Sequence, residues 1–313
     1  MDILLQFALL VLGFVMLIKG ADWFVEGASK IADRFGIPQL VIGLTIVALG
    51  TSLPEAAISI AAAVQGSAGI TIGNVLGSNI MNVLVILGIT AVIKTIAVQK
   101  STVMYEIPFV IICTVAMGVM GLMDNTLGRI EGVVLWVLMI IYLIYLLKMA
   151  KSGSGDVEEG AKAEANESIL KMVALVVIGA AIIVVGSDVT VDAATKIAQA
   201  FGMSDRFIGL TIVAFGTSLP ELVTSITAAI KGKADIAIGN IVGSNIFNIL
   251  FVAGTTAIIT PVAYVDGFTV DTYVAAAAAV LLLLCVCWKK KLNRLGGLIM
   301  LIAYGGYFAY LIR

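Results

Sequence analysis

The chain has 313 residues, of which 61% are hydrophobic and 12% charged, with a formal net charge of −1 and no histidine. Soluble domains carry roughly 25% charged residues, so this composition excludes a soluble globular protein and points to a chain dissolved in lipid. The lack of histidine also removes imidazole metal ligation and histidine proton relays, which leaves carboxylates and neutral oxygens as ligands for any cation.

A helix needs about 20 apolar residues to cross a hydrocarbon core of about 30 Å. Apolar runs between polar punctuation predict ten such helices in chain order: 2–20 extending to 34, 37–65, 70–93, 103–122, 130–148, 168–186 extending to 200, 205–230, 236–258, 270–288 and 296–312. The first run lacks a basic leader and a small-residue cleavage site, so it reads as a span and not as a removed signal. Between the fifth and sixth spans lies KSGSGDVEEGAKAEANE, polar, acidic and glycine-containing, the composition of a flexible linker. The expected organisation is therefore residues 1–150, a linker 151–167, and residues 168–313. Fifteen of the 19 Lys and Arg residues fall on the linker side of the spans, leaving Arg129, Lys196, Arg206 and Arg313 on the other. The positive-inside rule then predicts a multi-pass protein of the cell membrane with a cytoplasmic linker and both termini outside. Cys113, Cys285 and Cys287 sit in or at the end of apolar helices without metal or disulfide spacing, and read as packing residues.

The halves are copies of one another. At a constant offset of 166 residues, Val41 to Gly88 lies over Phe207 to Gly254 without a gap, and 30 of the 48 positions are identical. Five spans separate each element from its copy, an odd number, so the copies enter the membrane from opposite sides, as in many secondary transporters. The expected fold class is an all-α membrane protein of ten transmembrane helices in two inverted five-helix repeats.

Each copy contains two polar clusters. GTSLPE stands at Gly50 to Glu55 and again at Gly216 to Glu221; IGNVLGSNIMN at Ile72 to Asn82 is matched by IGNIVGSNIFN at Ile238 to Asn248. Pro54 and Pro220 each remove an amide donor and should break their helices, freeing the carbonyls of Gly50 and Gly216. Such groups are costly in lipid unless they face protein, water or an ion. Beside them lie the hydroxyls of Thr51, Ser52, Thr217 and Ser218, with Glu55 and Glu221 one turn beyond. A carboxylate at this depth is a functional candidate by default, and no Lys or Arg stands nearby in sequence to pair with either one. In the second cluster, glycines permit close helix approach, while Ser78 with Asn82, and Ser244 with Asn248, share a face at i and i+4. Asn74, Asn79, Asn240 and Asn245 are expected to support the broken backbone or to ligate. Two carboxylates among neutral oxygens suit Ca²⁺, which accepts 6 to 8 oxygens with tolerant geometry, and also Na⁺. Mutually exclusive occupation of one carboxylate pair is the physical basis of exchange.

The doubled G-T-S-L-P-E and G-N-x-x-G-S-N-I-x-N segments resemble the repeats of the sodium/calcium exchanger family, within the cation/calcium antiporters, over nearly the whole chain. The resemblance implies alternating access driven by a sodium gradient, with calcium and sodium as transported ions, no cofactor and no enzyme activity. It places cation ligands on Thr51, Ser52, Glu55, Ser78, Asn82, Thr217, Ser218, Glu221, Ser244 and Asn248. It also implies that the first helix of each repeat slides over the core. Relatives that use potassium look to have Asp where this chain has Asn248, so a potassium-independent exchanger is expected, and the linker is too short to form the regulatory domains of animal relatives. Membrane lipid is the expected surrounding, with no nucleic-acid partner and function as a monomer. A calcium/proton antiporter and a potassium-dependent exchanger stay open as alternatives, and a channel is the second class of reading. Asp22 and Glu26 align with Asp188 and Asp192, each pair followed by a lysine one turn on, which reads as local ion pairing near the membrane surface.

Overall fold

A computed structural model describes residues 3–65, 69–152, 168–202, 214–264 and 267–311. Among the described residues the regular structure is helical apart from four two-residue strands. The first repeat comprises α1 (Ile3–Phe35), α2 (Gln39–Thr51), α3 (Leu53–Val64), α4 (Thr71–Ile93), α5 (Thr102–Met123) and α6 (Arg129–Lys151). After the linker come α7 (Ile169–Ala200), α8 (Leu219–Ile230), α9 (Ala234–Ile259), α10 (Phe268–Val286) and α11 (Arg294–Leu311). Among the described residues eight helices are long and apolar enough to span a membrane, and α2 with α3, bent by 51°, makes a ninth. The remaining expected span, 205–230, is described from Ala214 onward as one short turn followed by α8. Most of the linker, residues 153–167, lies outside the described residues, as does Arg206.

Burial divides core from periphery. In the apolar window of α9, 94% of residues are buried, against 78% for α4 and 17% for α11. The helices carrying the G-N-x-x-G-S-N-I-x-N clusters are thus the protein-enclosed ones, and polar side chains survive there because protein, not lipid, surrounds them. Glycine makes the tightest crossing possible: a Cβ on Gly43 in α2 would lie 3.1 Å from Cα of Gly239 in α9. At that range only glycine on both helices lets the backbones meet.

α1 and α7 pack antiparallel along most of their length. A Cβ on Gly20 would sit 3.0 Å from the carbonyl oxygen of Gly179, and one on Gly186 3.2 Å from that of Gly13. Two small ribbons bind the connections: Ile96–Ala97 pairs antiparallel with Lys291–Leu292, and Thr126–Leu127 with Val262–Ala263. Each ribbon joins a connection of the first half to one of the second.

Candidate functional site

Both copies of GTSLPE break their helices in the same way. Ser52 has φ −89° and ψ 5°, Ser218 has φ −95° and ψ 5°, and each serves as the N-cap of a helix whose second residue is proline. Proline at a helix start loses nothing, because the first-turn amides have no intrahelical acceptor anyway. The break places Glu55 in the first turn of α3 and Glu221 in the first turn of α8, where the positive helix ends favour a carboxylate. Both side chains are buried, at 1% and 0% exposure. Among the described residues neither carboxylate has an ion-pair partner.

Amides of the second cluster build the frame around them. Asn74 Nδ2 donates to Ser59 Oγ at 2.9 Å and to the Glu55 carbonyl at 3.3 Å; Asn240 Nδ2 donates to Ser225 Oγ at 3.0 Å and to the Glu221 carbonyl at 3.4 Å. Between the halves the bonding is reciprocal. Asn79 Nδ2 donates to the Asn245 carbonyl and Asn245 Nδ2 to the Asn79 carbonyl, both at 3.2 Å. Asn82 Nδ2 then donates to Asn245 Oδ1 at 3.0 Å, and Asn248 Nδ2 to Asn79 Oδ1 at 3.3 Å. Asn74 and Asn240 thus support the backbone of the first cluster as expected, whereas Asn79 and Asn245 support each other's helices. Ser59 and Ser225, which the motif reading passed over, anchor the frame; their signal was their matched position four residues beyond each glutamate.

The donor ends of Asn82 and Asn248 are therefore occupied, and what they leave over is oxygen. Glu55 Oε2, Glu221 Oε2, Asn82 Oδ1, Asn248 Oδ1 and Ser218 Oγ are all buried with no hydrogen-bond partner. Orphaned buried polar atoms cost about 1–3 kcal/mol each, and five of the twelve among the described residues belong to the two matched clusters, where an external partner would satisfy them together. All five are oxygens, and the set suits a hard cation. Among the described residues no three His, Cys, Asp or Glu side chains cluster, so such a cation draws on neutral oxygens around the two carboxylates. Thr51 and Ser52 are buried beside them: Thr51 Oγ1 lies 3.0 Å from Asn240 Oδ1, and Ser52 Oγ donates to Glu221 Oε1 at 2.9 Å. Ser78 and Ser244 are buried too, and Ser244 Oγ reaches the Ala48 carbonyl at 3.4 Å. π-helical turns begin at Asn82 and Asn248, a local widening that often accompanies functional positions.

The expectation for the freed carbonyls needs correction at Gly216, whose oxygen accepts a bond from Ser187 of α7 at 2.8 Å. Ser187 lies in the diverged part of the repeat, where its counterpart is Ala21. On the other copy, Gly50 is covered by the ring of Phe24, which a Cβ there would meet at 2.8 Å. Thr217 stays half-exposed, on a cavity of about 370 Å³ between α3 and α7 that also reaches Pro54, Asp188 and Asp192. Glu26 and Asp192 pair with Lys30 and Lys196 as their spacing predicts, at 2.8 and 2.6 Å. Asp22 instead bonds Lys231 at the end of α8, at 2.6 Å.

The family model described as sodium/calcium exchanger protein matches residues 5–148 and 171–313. A putative antiporter, CaxA of Alkalimonas amylolytica, is 43% identical over 94% of this chain and 95% of its own length. The sodium/calcium exchanger MaX1 of Methanosarcina acetivorans is 31% identical, with 99% of both chains covered. The solved structure of the sodium-calcium exchanger NCX_Mj, soaked with Na⁺, superposes with a TM-score of 0.84 at 36% identity over 98% of this chain and 99% of that one.

Proposed function

Since the chain belongs to the sodium/calcium exchanger family, we propose that its antiport of sodium against calcium takes place at the oxygen site between Glu55 and Glu221. The observation that carries this assignment is the set of five buried, unpartnered oxygens, two of them on carboxylates without a cationic side chain. The ligands are Thr51, Ser52, Glu55, Ser78 and Asn82 from the first repeat and Thr217, Ser218, Glu221, Ser244 and Asn248 from the second. One Ca²⁺ neutralises the two glutamates. Sodium ions that use the same oxygens exclude it, and this exclusion couples the two fluxes.

Transport follows alternating access by two inverted repeats. The cavity beside Thr217 is the path by which ions reach the site from the side away from the linker, because Asp188 and Asp192 occupy the half of α7 remote from it. On the linker side, α1 closes the site, with Phe24 over Gly50 and Asp22 bonded to Lys231. With the cytoplasmic linker implied by the distribution of Lys and Arg, this is an outward-facing arrangement in the cell membrane, with both termini outside. The small-residue contacts between α1 and α7 support their movement as one body. Asn248, an amide where potassium users have a carboxylate, supports independence from potassium.

Calcium uptake into proteoliposomes, with sodium, potassium and proton gradients imposed separately, tests the reading. Uptake driven by the sodium gradient alone is expected. Uptake that follows a pH gradient and ignores sodium would replace it with calcium/proton exchange, and calcium current without any counter-ion would replace it with a channel.

A further inference from the structure

Far from the cation site, a groove of about 330 Å³ runs between α5 and α6 on the outer surface of the bundle. At its end nearest the linker lies Glu106, 1% exposed, whose Oε1 accepts a hydrogen bond from the Tyr145 hydroxyl and whose Oε2 has no partner. The hydroxyl of Tyr142, one turn deeper on α6, is also buried and unpartnered. Further in, the groove is lined by Ile112 and Ile141, both exposed on the outer surface. Four π-helical turns occur among the described residues: Gly43–Val47, Asn82–Leu87 and Asn248–Ala253 lie on the helices that build the cation site. The fourth, Thr102–Glu106, ends on this glutamate. Such turns concentrate at functional positions, and the cation site does not account for this one.

The groove is polar at the membrane surface and apolar toward the midplane, which is the polarity of a bilayer lipid. Its charges are arranged for a zwitterion. Among the described residues no Lys or Arg pairs with Glu106, so the floor offers a carboxylate with one free oxygen. Beyond the lining residues toward the linker, Lys148 follows Tyr145 by three residues and Lys100 precedes Met104 by four, both exposed and, among the described residues, without an ion pair. Exposed lysines at a helix end sit at the level of lipid phosphates.

We propose that this groove binds a zwitterionic phospholipid with a primary ammonium headgroup, the ammonium at Glu106, the phosphate at Lys100 and Lys148, and an acyl chain along Ile112 and Ile141. A primary ammonium offers three N–H donors, and it meets the free carboxylate oxygen where a choline headgroup has no N–H to give. An anionic headgroup would satisfy the lysines and leave Glu106 without a partner.

Native mass spectrometry of the full chain in detergent tests this with dioleoyl phosphatidylethanolamine, its N-methyl and N,N-dimethyl forms, the choline lipid and phosphatidylglycerol. Retention is expected to fall with each N–H removed, about tenfold from the primary ammonium to choline, the scale of one charge-assisted hydrogen bond. Glu106→Gln should flatten that series, and Ile112→Trp should lower retention of every member by filling the groove. Equal retention across the methyl series, a preference for phosphatidylglycerol, or an unchanged series in Glu106→Gln would each overturn the proposal. If Glu106→Gln does not fold, the methyl series on the unaltered chain decides alone.

Discussion

The two copies of the site agree in the groups that face its centre and disagree in what covers them. Around Glu55 and Glu221 the asparagine bonding is matched almost distance for distance: Asn74 to Ser59 at 2.9 Å against Asn240 to Ser225 at 3.0 Å, and two identical bonds of 3.2 Å between the halves. Symmetry fails at the coverings. Gly50 lies under Phe24 of α1, while Gly216 is bonded by Ser187 of α7 beside an open cavity. It fails also at the serines, since Ser52 bonds Glu221 whereas Ser218 leaves Glu55 alone. A duplicated frame that is symmetric inside and asymmetric outside suits the alternating access proposed above: the inner oxygens persist while the access changes sides.

The largest effect is expected from the frame's charge. Glu55→Gln and Glu221→Gln should each lower calcium transport by roughly 100-fold or more, because ligand charge tunes calcium affinity over decades; radiolabelled uptake measures it, and near-normal uptake in both would refute the assignment. Next come the cross-links. Asn79→Ala and Asn245→Ala should each destabilise the protein by about 1–3 kcal/mol, because each orphans buried partners. Thermal unfolding in detergent should show the two losses to be alike, and a large inequality would mean that the frame is less symmetric than its bonds.

Smaller effects should come from the coverings. Ser187→Ala makes α7 resemble α1, where Ala21 stands, and removes one neutral bond worth about 1 kcal/mol. Its apparent calcium affinity should change by roughly fivefold or less, read from concentration-dependent uptake. Least of all, Lys231→Gln releases α1 from α8. The pair is partly exposed, with side chains at 31% and 41%, so about 0.2–1 kcal/mol is at stake. Ile58→Cys, placed in the cavity in a chain with Cys285 and Cys287 replaced by serine, should then react more slowly with an impermeant thiol reagent. Gln65 occupies the matching place in the first repeat, so Gln65→Lys should slow the same reaction by offering Asp188 a partner in the opposite state. Unchanged rates in both variants would leave the ion pair without influence on access.

Most of the inner frame was legible in the residues because it was written twice: GTSLPE and the paired asparagines have the same spacing in both halves, and their chemistry follows from proline, hydroxyl, amide and carboxylate. Legibility ended where contacts cross between segments that diverged. Asp22 is followed by Glu26 and Lys30, a spacing that suggests local pairing, yet Glu26 takes the lysine and Asp22 turns to Lys231, 209 residues away. Gly216 reads like Gly50 in sequence, and what tells them apart stands on separate helices, the hydroxyl of Ser187 on one and the ring of Phe24 on the other. The reciprocal amide bonds were hidden for a related reason. Repetition reveals that Asn79 and Asn245 are equivalent, but not that each lies against the other's backbone.

The two short ribbons carry a mechanical consequence. They fasten the connections next to α4, α5, α6, α9, α10 and α11, one half to the other at both ends of the bundle, and neither touches a connection of α1 or α7. In the proposed mechanism the bundle clipped in this way is the stator, and the glycine-matched pair left outside the clips is its shuttle.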